Sequence, residues 1–332
     1  MPSPMKFFEA VNGYQQTAAL KTAIDLDIFS AISDGAATPE AIAEKSNASA
    51  RGVRMLCDFL TIHGFLTKHN EHYALTPDSA MFLTRRSQAF LGGALTFLLN
   101  PKAREGFHRL TEAVRKGGTV TDDQAVTPDD PMWLSFAESM MPMMVPIAQT
   151  AAGLIPLPND RESKVLDIAA SHGIFGISVA KRHPRAHSVG LDGKAVVEFA
   201  KQNAQRFGVA DRYSTIAGDA FKVDYGRDYD AILLPNILHH FDVPMCERML
   251  ARCREALRPG GHVAIIEFVP NDDRVSPPGS AAFALIMLAL TPAGDAYTLR
   301  EYQQMLADTG FATPTAYPLP PSEHLMVLSQ RR

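Results

Sequence analysis

Residues 164–176 read Lys-Val-Leu-Asp-Ile-Ala-Ala-Ser-His-Gly-Ile-Phe-Gly. Residues 165–168 are a short apolar run, the pattern of a strand buried on both faces. Small residues then crowd a turn, and residues 174–182 follow with helical periodicity. A strand, a small-residue turn and a helix in that order bring backbone close to a ligand at the strand's carboxyl end. Only Gly173 and Gly176 are glycines, so the turn departs from the Gly-x-Gly-x-x-Gly of dinucleotide sites. The alternation continues downstream. Residues 188–191, 213–216, 231–234 and 263–266 read as strands, 194–207 and 244–257 as helices among them, 298–308 as a last long helix and 325–328 as a closing strand. This is the grammar of an α/β domain with a parallel sheet.

Acids recur at the strand ends. Asp167 closes the first strand. Asp192, followed by Gly193, closes the second, where a carboxylate can accept hydrogen bonds from two ribose hydroxyls. The third strand runs into Gly218-Asp219-Ala220-Phe221. There Asp219 can accept from an exocyclic adenine amine, and Phe221 can cover the base. Open α/β sheets bind ligands at this edge.

Residues 1–105 are read differently. Residues 14–29 carry a helical rhythm that stops near Asp34-Gly35. Thr38-Pro39-Glu40 combines a capping hydroxyl, a proline at the first helical position and an acid in the first turn, which predicts a helix over 39–45. Val53, Leu56, Cys57 and Leu60 form an i, i+3, i+4, i+7 stripe, and Gly64 supplies its stop. Residues 65–67 and 73–75 then flank a polar turn containing Asn70, which reads as a hairpin. Helix, helix, hairpin is the winged-helix order. A DNA reader of that kind needs a basic face. Residues 1–150 instead hold 13 Lys and Arg against 16 Asp and Glu, and the would-be recognition helix offers only Arg51 and Arg54. The module is therefore expected to pack or dimerise and not to bind nucleic acid. His63, His69 and His72 read as solvated surface residues.

The 332 residues suggest two domains at roughly 150 residues each. Net charge is −4, so neither bulk nucleic acid nor an anionic membrane exerts an electrostatic pull. The longest apolar runs, 89–95 and 281–290, fall short of the ~18–20 residues a membrane span needs. Residues 1–14 lack a basic stretch followed by an apolar one, so no secretory signal is expected. Cys57, Cys246 and Cys253 form no Cys-x-x-Cys pair. Such a sparse, odd set points to a reducing, cytoplasmic setting and away from disulfides or a cysteine zinc site. No His, Asp and Glu cluster has metal-ligand spacing either. Residues 106–155 read as bridging helices, broken at Lys116-Gly117-Gly118, Pro128 and Pro131. Within them Met140, Met141, Met143 and Met144 sit at a helix end, as core filler or as an adaptable apolar wall of a ligand pocket.

The strand-end acids and the small-residue turn together resemble class I S-adenosylmethionine-dependent methyltransferases. The whole chain is similar to the two-domain small-molecule O-methyltransferases of plants and bacteria. That resemblance implies a winged-helix dimerisation domain over 1–105, a helical linker over 106–155 that contributes to the acceptor pocket, and a Rossmann-like, seven-stranded catalytic domain over 156–332 whose last strand is antiparallel. It implies a homodimer, S-adenosylmethionine as cofactor with S-adenosylhomocysteine as product, and a role in secondary metabolism. Asp167, Ala169, Ser171, Gly173, Asp192, Gly193, Asp219, Ala220, Phe221 and Asn236 are its candidate cofactor residues. The family carries consecutive glycines where this chain has Ala169, Ala170 and Ser171, and those L-residues are expected at negative φ.

In the family a histidine just after the fourth strand is the general base. The stretch Asn236-Ile-Leu-His-His-Phe-Asp puts His239 there, and a neutral imidazole near pH 7 can take a hydroxyl proton. His240 stands where plant members have an acid; it points elsewhere, or serves as the base if the loop is displaced. Glu267 matches the acid that orients the histidine. Ala296 replaces a second flanking glutamate of the plant enzymes, which keeps N- or C-methylation open beside O-methylation. The apolar helix over 280–290 is expected to turn Phe283, Met287 and Thr291 to an acceptor pocket that also takes Met140, Met144 and His240. The acceptor is then apolar and aromatic or polyketide-like, and the enzyme metal-independent. Two other classes compete: a nicotinamide-dependent oxidoreductase, opposed by the missing glycine fingerprint, and a non-catalytic winged-helix regulator, opposed by the charge.

Overall fold

A computed structural model describes residues 2–121 and 131–332 and divides into two units, Met1–Leu95 and Thr96–Arg332. The first unit holds α1 (Met5–Asp25), α2 (Ile28–Ser33), α3 (Pro39–Lys45), α4 (Ala50–Ile62), β1 (Leu66–His69), β2 (His72–Leu75) and α5 (Pro77–Phe82). The helix expected over 14–29 is broken. Asp27 adopts φ 55°, a left-handed conformation that aspartate tolerates better than most residues, and α2 starts afresh behind it. Thr38 accepts the Ala41 N–H and Ser49 accepts the Gly52 N–H, so each hydroxyl satisfies an orphan donor where α3 and α4 begin. Val53, Cys57 and Leu60 are buried with Phe29, Ile42, Leu66 and Tyr73. β1 and β2 pair antiparallel around Asn70 at φ 53°. Arg54 and Lys68 both pair with Asp58, so the cations at α4 and the hairpin face a carboxylate of their own unit. Met5, Phe7, Phe8, Val11 and Tyr14 on α1 are more than half exposed.

The second unit begins within α6 (Ala94–Leu98) and continues with α7 (Pro101–His108), α8 (Leu110–Lys116) and α9 (Pro131–Leu154). Then come β3 (Ser163–Ile168), α10 (Ile174–Arg182), β4 (Ala186–Asp192), α11 (Lys194–Arg206), β5 (Tyr213–Ala217) and β6 (Tyr229–Pro235). The chain ends with α12 (Val243–Ala256), β7 (Leu257–Phe268), α13 (Pro278–Leu290), α14 (Leu299–Asp308), β8 (Thr315–Pro318) and β9 (His324–Gln330). The sheet order is β5-β4-β3-β6-β7-β9-β8, parallel except for β9, which runs against both neighbours. Apolar cores cover its two faces.

Residues 106–155, read as a linker, lie in this unit: α9 packs on α10 and α11, and α7 and α8 pack on α13. Pro131 opens α9 and does not break it, as suits a proline at the first turn. The break expected at Pro128 lies outside the described residues. The methionine run is no helix end either, because α9 continues through Pro142 and Pro146. Met144, Ile147, Ala148, Ala151 and Ala152 bury against Val165, Phe175 and Val179, and that packing holds the helix past two missing N–H donors.

Candidate active site

β3 delivers Asp167, fully buried, to the carboxyl edge of the sheet. Its Oδ2 accepts the Gly176 N–H at 2.8 Å. Its Oδ1 is buried and meets no hydrogen-bond partner among the described residues. Burial pushes this carboxyl up to about 8; the Gly176 N–H opposes the shift and the nearby Asp192 charge adds to it. Gly176 packs closely, since a Cβ there would sit 3.2 Å from Asp167 Oδ2 and from the Tyr213 ring.

The turn after β3 corrects the expectation of negative φ. Ala169 stands at φ 55° and Ser171 at φ 52°, both left-handed, as Gly173 is at 75°. The winding is set by what the turn must reach. Ala170 N–H donates to Leu191 O at 3.0 Å, and Ser171 N–H donates to Asp192 Oδ2 at 2.8 Å. Gly193 N–H takes the other oxygen, Oδ1, at 2.7 Å. Asp192 is thereby fixed, yet each oxygen keeps a lone pair. Burial raises it to about 6 against those two N–H donors. Ser171 Oγ is a second buried oxygen without a hydrogen-bond partner among the described residues. At the end of β5, Gly218 N–H donates to Asp192 O at 2.9 Å and ties the next loop to the same edge. Asp219 there accepts the Phe221 N–H and pairs with Lys222 at 3.1 Å. Phe221 meets the edge of Phe241, and Ala220 O accepts from Tyr225. The turn residues, Asp192, Gly193 and the 219–221 loop thus form one cradle. Its orphaned Asp167 and Ser171 oxygens suit a ligand bearing an amine and hydroxyls.

Asn236 follows β6, the neighbour of β3 in the sheet, and both ends of its side chain are engaged. Its amide donates toward Met144 Sδ at 3.8 Å, and its Oδ1 accepts from His324 Nε2 at 2.9 Å. His324 is buried, hydrogen-bonded to Ser322 and packed on Phe268, and burial pushes its imidazole down to about 4. Nothing near His324 marks it in the chain: it opens β9, a strand read as apolar over 325–328.

His239 sits in a single 3-10 turn, residues 238–240, between β6 and α12. Its Nδ1 lies 2.6 Å from Glu267 Oε2 at the end of β7, and both residues are buried. Glu267 Oε1 also accepts the N–H groups of Leu238 and His239, so one carboxylate fixes ring and backbone together. His240 Nε2 stands 3.1 Å from His239 Nε2. Phe283 meets His239 edge-on at 4.8 Å and also contacts Phe268, while Trp133 meets His240 at 5.5 Å. Gly294 permits this close build, because a Cβ would fall 2.2 Å from His239 O. Met287 is buried on α13 and Met140 is half-buried on α9. Thr291 spends its hydroxyl on Met287 O and the Gly294 N–H. Trp133, absent from the expected site, is the chain's one tryptophan and precedes the methionine run, a signal that was available. No group of three or more His, Cys, Asp and Glu among the described residues could hold a metal ion. None of their helices is long and apolar enough to cross a membrane.

Residues 8–85 match the O-methyltransferase dimerisation domain, and residues 107–312 match the O-methyltransferase domain. A Nostoc punctiforme crystal structure, provisionally described as an O-methyltransferase, is 50% identical over all of both chains with a TM-score of 0.95. The 3-hydroxy-5-methyl-1-naphthoate 3-O-methyltransferase of Streptomyces sahachiroi is 28% identical, covering 92% of this chain and 89% of its own. The tetracenomycin polyketide synthesis 8-O-methyl transferase of Streptomyces glaucescens is 26% identical, covering 93% and 91%. With a dimerisation domain ahead of a seven-stranded α/β domain, the chain belongs to the two-domain, S-adenosylmethionine-dependent O-methyltransferase family.

Proposed function

We propose that the chain methylates a hydroxyl of an apolar aromatic small molecule in secondary metabolism, with His239 as general base and Glu267 as the carboxylate that orients it. The observation that carries this reading is the buried 2.6 Å contact between them, beside Phe283 and at the sheet edge that ends in Asp167. S-Adenosylmethionine supplies a methyl group on a sulfonium, which an oxyanion attacks far more readily than a neutral hydroxyl. The protein's part is to generate that oxyanion in place. Glu267 takes the Nδ1–H of His239, leaves Nε2 as the basic atom and stabilises the imidazolium that forms. Such a base contributes ~10²–10⁴-fold, and fixed geometry contributes beyond that.

In the cradle, Asp167 Oδ1 and Ser171 Oγ are the acceptors left for the cofactor's amine, Asp192 for its ribose, and Asp219 with Phe221 for its base. Phe283, Phe268, Trp133 and His240, with Met140 on the helix of Trp133 and Met287 on that of Phe283, supply an aromatic and thioether lining for the acceptor. The naphthoate and polyketide named for two relatives support that acceptor class. The exposed apolar stripe of α1 is the face we assign to homodimer formation.

The test is turnover of methyl-labelled S-adenosylmethionine with phenolic, indolic and heteroaromatic acceptors, with mass spectrometry locating the methyl. Label on oxygen is expected. Label on nitrogen or carbon only would replace the O-directed reading, and NAD binding without S-adenosylhomocysteine binding would end it.

A further inference from the structure

We propose that His240 takes the acceptor's proton and passes its own to His239, along a two-imidazole chain that ends on Glu267. This rests on the O-methyl-transfer reading; it keeps the His239–Glu267 pair as the final holder of the proton and places His240 between that pair and the acceptor. The tautomers follow from the neighbours. Glu267 already accepts two backbone N–H groups through Oε1, and a carboxylate only accepts, so against it the 2.6 Å contact is an Nδ1–H of His239. Neutral His239 then has a bare Nε2. His240 Nε2 lies 3.1 Å from it, and the pair is bonded only if His240 donates.

Burial, with His239 beside it, holds the His240 imidazole well below its ordinary range, so the ring is neutral. A neutral ring protonated at Nε2 presents a bare Nδ1. That atom is buried and finds no hydrogen-bond partner among the described residues. An unpaired buried acceptor marks the place of an incoming donor. A hydroxyl on an acceptor lodged near Trp133 supplies one. His239 Nε2, by contrast, is already capped by His240.

The step balances. The acceptor O–H breaks as His240 Nδ1–H forms, and His240 Nε2–H breaks as His239 Nε2–H forms. The oxygen's electron pair makes the bond to the methyl carbon, and the carbon–sulfur pair returns to sulfur. His240 ends neutral, and His239 ends as an imidazolium against Glu267.

Two measurements on the full chain test it. Histidine-ring ¹⁵N NMR at pH 7, assigned with His240→Phe, should find His239 protonated at Nδ1 and His240 at Nε2. His240 protonated at Nδ1, or charged, overturns the relay alone. His240→Phe keeps a ring beside Trp133 and uncaps His239 Nε2. The relay predicts about a 10²-fold lower kcat with ordinary phenols. It also predicts unchanged S-adenosylhomocysteine affinity and near-complete recovery with phenols already ionised at the assay pH. Undiminished turnover of ordinary phenols means His239 meets the acceptor itself, and the relay is wrong. A wild-type protein that methylates no hydroxyl, yet shows the expected tautomers, overturns the O-methyl-transfer reading and the relay with it.

Discussion

Ser171→Gly should stabilise the unliganded protein, and the structure separates two reasons. Ser171 adopts φ 52°, which costs an L-residue about 1–2 kcal/mol. Glycine is free of that strain but gives back about 0.4–1 kcal/mol through the entropy of its unfolded chain. The Ser171 hydroxyl is also buried without a hydrogen bond, a burden of about 1–3 kcal/mol. Ser171→Ala removes the hydroxyl and keeps the strain, for a gain of about 1 kcal/mol. Ser171→Gly removes both, for about 1.5–2 kcal/mol, or roughly 3–6 °C in the melting of a unit this size. Guanidinium titration of both variants, with the slope m unchanged, reads the two contributions. If glycine stabilises no more than alanine, the left-handed turn is not strained and the reasoning fails. The hydroxyl should reappear in binding: both variants lose about 5–10-fold in S-adenosylhomocysteine affinity if Ser171 Oγ serves the cofactor, the worth of one hydrogen bond.

Two further outcomes follow from the same edge of the sheet. Glu267 accepts three N–H groups while fully buried, so Glu267→Gln, which sets an amide N–H against one of them, should cost about 2–3 kcal/mol of stability and lower kcat about 10²-fold; unchanged unfolding would contradict the network. Asp192 is raised to about 6 and Asp167 to about 8, so the folded chain holds protons the unfolded one has shed. Stability contributed by these groups is full below their unfolded values and falls as pH rises toward 6 and then 8, by at most about 1.4 kcal/mol per pH unit per group. Denaturation midpoints from pH 5 to 7 should therefore decline, and Asp192→Asn should flatten that decline; an identical slope in the variant would remove Asp192 as its source.

The sheet was legible because its strands are short, apolar and punctuated, and because Asp167, Asp192 and Asp219 recur at their ends. Thr38 caps α3 as Pro39 and Glu40 announce. What was not legible depends on partners distant in sequence. The break at Asp27 and the passage of α9 through two prolines are set by packing, which overrides local preference. The positive φ at Ala169 and Ser171 is imposed by Leu191 and Asp192, which no local rule foresees for an L-residue. Asn236 reads as part of a loop beside the cofactor, and its hydrogen bond to His324, 88 residues on, has no local signal. The likeness of His239 to His240 hides a difference in surroundings: Glu267 meets the ring of His239.

On the proposed mechanism the His239–Glu267 pair drives methyl transfer to a hydroxyl. Its most direct test is His239→Ala, assayed for kcat at pH 7 with the best phenolic acceptor alongside calorimetric S-adenosylhomocysteine binding. At least ~10²-fold loss of turnover is expected, with cofactor affinity retained. Turnover near that of the wild type would contradict it.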